Sequence, residues 1–188
     1  MFDKKDISIV IADDHPMILK GLHDELKAHN YNVLGQAANG MQALELILTH
    51  NPTLVLLDID MPLLTGFEVI KMAKQKKVDT KFIILSFHKE NDYLIQAKAL
   101  QINGYLLKED SFLEIENCIE SVMNGEICFS SSFAASSLAR VSEEMKRIKL
   151  LTPSEKTILK LVAEQTSSSE IAESTGKTKA RVNRFLFI

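Results

Sequence analysis

The feature that most constrains this chain is the run Leu54-Val55-Leu56-Leu57-Asp58, closed by Asn51-Pro52 before it and Met61-Pro62 after it. A short, unbroken apolar run between turn residues predicts a strand buried on both faces of a parallel sheet, because a sheet with one wet face would alternate apolar and polar residues. The strand ends in an acid. Open α/β sheets gather their ligands beyond the carboxyl ends of their strands, so Asp58 is a candidate for chemistry. A strand-end acid that caps the following turn is the other reading, and the run alone supports both equally.

The same grammar repeats. Residues 7–12 form a β-branched run that leads into Asp13-Asp14-His15-Pro16; Asn32 to Ala38, Lys81 to Ser86 and Gly104 to Lys108 are three further strand candidates. Between them lie segments of helical periodicity. The first starts at Pro16 and carries Met17, Leu19, Leu22 and Leu26 to a stop at Asn30. The second is capped by Asn39 and carries Ala43, Leu44, Ile47 and Leu48. The others run from Phe67 to about Lys77, from roughly Glu90 to Leu100, and from Phe112 to Met123 before Asn124-Gly125. Strict β/α alternation with short connections predicts a five-stranded, doubly wound parallel sheet covered by helices on both faces.

The rhythm stops after residue 127. Residues 128–149, rich in Ser and Ala at first, read as a partly helical linker. At Leu151-Thr152-Pro153-Ser154-Glu155 a new helix opens, with Thr152 as N-cap, Pro153 in the first turn and Glu155 three residues after the cap. Residues 150–188 therefore predict a second, small all-α module. Charge divides the chain at the same place. Residues 1–127 hold 12 Lys and Arg against 19 Asp and Glu, a balance of −7, and residues 128–188 hold 10 against 6, a balance of +4, which together give the overall −3. An acidic body with a basic tail suggests different partners for the two parts, an anion such as nucleic acid for the tail.

Composition excludes other classes. Hydrophobic residues make up 46% and charged residues 25%, as in ordinary globular proteins, and no apolar run reaches bilayer-spanning length. The expected setting is the cytoplasm, since no apolar signal region follows the opening Met-Phe-Asp-Lys-Lys-Asp. Cys118 and Cys128 lack metal-ligand spacing and read as buried or idle thiols.

Residues at the carboxyl ends of parallel strands share one edge of the sheet, so Asp13, Asp14, Asp58, Ser86 and Lys108 should meet although they are distant in sequence. Three crowded carboxylates repel unless a cation shares them, and carboxylate oxygens suit a hard divalent ion such as Mg²⁺. With that charge neutralised, the Asp58 carboxylate can attack a phosphoryl group whose oxygens the metal, Lys108 and the Ser86 hydroxyl hold. Taken singly, each residue has a blander role as a turn residue, helix cap or solvated charge.

These residues carry a resemblance. Ile-Ala-Asp-Asp-His-Pro, Leu-Leu-Asp-Ile-Asp-Met-Pro with Gly66 four residues on, Ile-Leu-Ser and Gly-Tyr-Leu-Leu-Lys make residues 1–127 similar to the receiver domain of two-component response regulators, a flavodoxin-like fold. The resemblance implies that Asp58 is the phospho-acceptor, that Asp13 and Asp14 form the acidic pair for Mg²⁺, and that Asp60 lends its backbone carbonyl to the metal. It implies phosphoryl contacts for Ser86 and Lys108, a switch role for Ser86 and Tyr105, and a tuning position for His88. For Tyr105 the alternative is a surface-facing strand aromatic, and for His88 a solvated loop residue.

Leu151-Thr152-Pro153-Ser154-Glu155-Lys156, followed by Ser-Ser-Glu-Ile-Ala-Glu, resembles the start of the LuxR-type helix-turn-helix carried by NarL/FixJ regulators. The match weakens after Glu173. Thr175 and Lys177 stand where the turn is usually apolar, and the chain stops at Phe185-Leu186-Phe187-Ile188, before a fourth helix, so an incomplete module is expected. Lys177, Lys179, Arg181 and Arg184 are the candidate phosphate contacts on DNA; a solvated basic end is the bland reading. The whole predicts a phosphorylation-switched transcriptional regulator, served by a sensor histidine kinase and dimerising on phosphorylation, with no membrane partner and no turnover chemistry beyond its own phosphorylation and dephosphorylation. The competing expectation is a signalling protein that works through its receiver alone. A phosphohydrolase using Asp58 and Asp60 is disfavoured, because the acidic pair follows the first strand and Lys108 the fifth.

Overall fold

The computed structural model describes residues 3–133 and, beyond them, Glu143, Lys146, Leu150, Thr152, Pro153, residues 155–158, Glu173 and Thr175. The chain divides into two units, Met1–Leu138 and Ala139–Ile188.

In the first unit, after a single 3₁₀ turn at Lys4–Asp6, strands and helices alternate: β1 Ser8–Ala12, α1 Pro16–Ala28, β2 Asn32–Ala37, α2 Gly40–His50, β3 Leu54–Asp58, α3 Gly66–Gln75, β4 Lys81–Ser86, α4 Asn91–Ala99, β5 Gly104–Leu107, α5 Phe112–Met123 and β6 Cys128–Phe129. The sheet is parallel throughout, in the order β2-β1-β3-β4-β5-β6. The expectation of five strands is therefore corrected to six. Cys128 and Phe129, assigned from sequence to the start of a linker, extend the sheet instead: the Cys128 amide donates to the Asn103 carbonyl (3.0 Å) and the Ser130 amide to the Tyr105 carbonyl (2.8 Å). Without them β5 would be a bare edge of unpaired amides and carbonyls. Two residues are too few to show a period, which is why the sequence pattern hides this strand.

Four of the five helices of this unit start on a proline or a capping side chain. Asn39 caps α2 by accepting from the Gln42 amide (2.9 Å), and Pro16 opens α1. Thr65 with Glu68 and Ser111 with Glu114 form reciprocal capping boxes at α3 and α5. All five residues of β3 are buried, as its unbroken apolar run requires. Alternate strand residues feed the two faces. Ile9, Ile11, Leu54, Leu56, Ile83, Leu85 and Leu106 join Leu22 and Leu26 of α1 and Ile115, Ile119 and Val122 of α5 in one core. The intervening residues face the other way, where α2, α3 and α4 bury Ala43, Ile47, Val69, Ile70, Ala73, Leu94 and Ala97.

In the second unit the helix start at Thr152 has the expected cap. The Thr152 amide and hydroxyl both donate to Glu155 Oε2 (2.7 Å each), and Ile158 is buried.

Candidate functional site

The strand register brings the site together. Ala12 pairs with Leu57, so the residues that follow, Asp13 and Asp58, stand level across adjacent strands; Ser86 pairs with Leu107, which puts Lys108 at the end of the sheet as well. The order β2-β1-β3 also makes β1 and β3 the point where the chain switches direction across the sheet, the usual crevice for a ligand. Gly66 fixes the loop beyond β3. Its amide donates to the Ile59 carbonyl (2.8 Å), and a Cβ at Gly66 would overlap the Asp58 carbonyl oxygen. Only glycine lets α3 start this close to the strand end.

Asp13 and Asp58 are 1% and 2% exposed. Lys108 has to cross β4 to reach them, and its long stem does so: Nζ lies 2.8 Å from Asp13 Oδ2 and 2.9 Å from Asp58 Oδ2. Burial raises the Asp58 carboxyl above its ordinary range, an effect that Lys108 opposes. Burial also works against the Lys108 charge, but the two carboxylates together outweigh it and raise the ammonium's pKa. The ammonium sits 5.2 Å from the Phe87 ring centroid, a cation–π neighbour the sequence reading did not identify.

The remaining carboxylate valences are unfilled. Asp58 Oδ1 accepts from the Ile59 amide (2.7 Å) and Asp13 Oδ1 from the His15 amide (2.8 Å), while Asp13 Oδ2, Asp14 Oδ1 and Asp58 Oδ2 are buried without a hydrogen bond. Lys108 and the His15 ring lie within ion-pairing distance of these oxygens but outside hydrogen-bond geometry. Asp13, Asp14, His15 and Asp58 each bring one ligand atom within 4.8 Å of the others. One ammonium against three carboxylates, two of them buried, leaves uncompensated negative charge, and a hard divalent cation that takes carboxylates plus water fits that deficit. His15, read from sequence only as part of a helix-start turn, is thus at the site, with Nδ1 2.8 Å from Asp14 Oδ1.

On the β4 side, Ser86 is fully buried and its Oγ accepts from the His88 amide (3.1 Å). Tyr105 is fully buried too, with its hydroxyl donating to the His88 carbonyl (3.0 Å), so it is not a surface-facing aromatic. His88 is held as well: Nε2 lies 2.6 Å from Asp60 Oδ2 and the ring stacks on Tyr93 with centroids 3.9 Å apart. Lys177, Lys179, Arg181 and Arg184 lie outside the described residues.

Residues 9–120 match the response regulator receiver domain family. The chain belongs to the response regulators. Among relatives of this response regulator, the transcriptional regulatory protein MctR of Rhizobium johnstonii is 34% identical over 182 residues, 96% of this chain and 84% of the relative. The crystal structure of a LuxR-family DNA-binding response regulator from Staphylococcus aureus superposes with a TM-score of 0.60 at 34% identity, over 62% of this chain and 98% of that one. The structure of two RcsB dimers bound to two parallel DNAs covers 95% of this chain and 87% of its own at a TM-score of 0.64; its 23% identity shows the fold alone. Response regulators are regulatory proteins of two-component systems and not turnover enzymes, and their receiver domains bind Mg²⁺ through the acidic pocket that Asp13, Asp14 and Asp58 form here. Among the described residues no helix is long and apolar enough to cross a membrane.

Proposed function

We propose that Asp58 accepts a phosphoryl group from a sensor histidine kinase or a small phosphodonor and that the resulting charge controls a DNA-binding output in residues 150–188. The observation that carries this reading is the Lys108 ammonium set against two buried carboxylates that still have unfilled oxygens. A carboxylate oxygen of Asp58 forms the new P–O bond as the donor's bond to phosphorus breaks and the leaving group takes a proton. Asp13, Asp14, Asp58 and the Asp60 main-chain carbonyl would hold Mg²⁺, which when bound would supply positive charge to the phosphoryl oxygens. Lys108 adds a second cation and Ser86 a hydroxyl donor.

The switch follows from the same edge. An aspartyl phosphate draws the Ser86 hydroxyl toward it and away from the His88 amide, which shifts the β4–α4 loop that the already buried Tyr105 holds through the His88 carbonyl. The altered α4–β5 face favours a homodimer by as much as the two states differ in affinity for the second copy. Similarity to MctR runs across the second unit as well, which favours a transcriptional output over a receiver acting alone. Lys177, Lys179, Arg181 and Arg184 supply the phosphate contacts on DNA.

Fluorescence anisotropy with duplex DNA at physiological salt tests the link. Acetyl phosphate with Mg²⁺ should tighten binding by the wild type and leave Asp58→Asn unchanged. Equal tightening of both proteins would contradict the link to Asp58, and no saturable binding by either would contradict the DNA-binding output.

A further inference from the structure

Outside the acidic pocket, two nucleophilic side chains that the switch does not use meet on the far side of the sheet. Cys118, on α5, is 1% exposed, and Cys128, in β6, is partly exposed; both are free thiols. Gly104 lies against both. A Cβ at Gly104 would come within 3.0 Å of Cys118 Sγ, and the strand partner of Gly104 in the β5–β6 register is Cys128. Registered partners project to the same face, so Cys128 points toward α5, and it packs against the same core that holds Cys118. Glycine at position 104 leaves the space into which Cys118 reaches.

We propose that Cys118 and Cys128 are a peroxide-sensitive thiol pair that closes to an intramolecular disulfide and straps β6 to α5. The thiols are unequal in the way such a pair requires. Cys118 lowers the pKa of Cys128, and Cys128 in turn, with burial, raises that of Cys118. The partly exposed Cys128 is therefore the attacking thiolate and Cys118 the resolving thiol. The Cys128 sulfur attacks one peroxide oxygen, the O–O bond breaks, and hydroxide leaves with the Cys128 sulfur as a sulfenic acid. The Cys118 sulfur then attacks the Cys128 sulfur, the S–O bond breaks, and the departing hydroxide takes the Cys118 proton as water. In sum the thiols lose two hydrogens and the peroxide becomes two waters.

The position of the strap gives it a consequence. In β6 Phe129 is the register partner of Tyr105, the Ser130 amide just beyond the strand donates to the Tyr105 carbonyl (2.8 Å), and the Phe133 ring lies 5.5 Å from the Tyr105 ring. A covalent tie at Cys128 thus fixes the edge strand laid against Tyr105.

The test is hydrogen peroxide on the full chain, followed by maleimide labelling under denaturing conditions and mass mapping after cleavage at Glu120 and Glu126, which lie between the two cysteines. The expected result is that both thiols escape labelling and the peptides on either side stay joined, with two hydrogens lost, until a reductant is added. In Cys128→Ser, whose substitution is at the partly exposed position, Cys118 should remain labelled after the same treatment. Oxygen added to Cys128 with Cys118 still free, a link between two chains through Cys128, or full labelling of both thiols would each overturn the proposal.

Discussion

Lys108 Nζ stands 2.9 Å from Asp58 Oδ2 with both side chains almost fully out of solvent. Neither charge has bulk water to fall back on, and the Lys108 ammonium serves both Asp58 and Asp13. Replacing Lys108 with Met should leave Asp13 and Asp58 facing each other with no cation and destabilise the metal-free protein by about 3 kcal/mol. Because the missing charge is what a divalent ion supplies, added Mg²⁺ should recover part of that loss. Urea denaturation with and without Mg²⁺ measures both, and a variant indifferent to Mg²⁺ would contradict the shared-charge account.

Asp58 itself is a stability liability. Asp58 Oδ2 is buried without a hydrogen bond, and burial disfavours its charged form. Asp58→Asn removes that charge at nearly constant shape, so it should stabilise the metal-free protein by about 1 kcal/mol. It should also shrink the stabilisation that Mg²⁺ gives. Parallel thermal melts with chelator and with Mg²⁺ check both signs.

Gly66 holds α3 against the strand end through space that no side chain can share. Gly66→Ala should force the β3–α3 loop away from Asp58, at about 1–3 kcal/mol in stability. Phosphorylation by acetyl phosphate should slow more than stability loss explains; a normal rate in the folded fraction would show that the loop does not position the acceptor.

Far from the site, Glu116 Oε1 lies 2.6 Å from Lys4 Nζ and 2.9 Å from His29 Nδ1. Lys4 holds the Glu116 carboxyl below its ordinary value of 4.5, with His29 assisting and burial opposing. An acid whose folded pKa is depressed stabilises the fold above its unfolded pKa, and that stability is lost as pH falls through the folded value. Lys4→Met should therefore cost stability at neutral pH and have a smaller effect as pH drops below about 4.5. Urea titrations of both proteins across that range provide the check.

Much of this was legible in the chain. Apolar runs ending in Asp58, Ser86 and Lys108 named the strands and their shared edge, because β/α alternation admits few topologies. Asn39 and Pro16 announced their helix starts. What stayed hidden was short or relational. β6 is two residues long, with no period to detect. The inward position of Tyr105, the place of Phe87 over Lys108 and that of His15 against the acidic pair depend on how elements pack, not on any local pattern. Cys118 and Cys128 looked idle because their proximity arises only when β6 folds back beside β5.

The proposed switch depends on phosphorylation at Asp58. Intact mass after incubation with acetyl phosphate and Mg²⁺ tests it most directly, comparing wild type with Asp58→Asn and with a chelator control. One added phosphoryl group is expected on the wild type, none on Asp58→Asn and none with chelator. Equal labelling of the variant, or no labelling of a folded wild type, would contradict it.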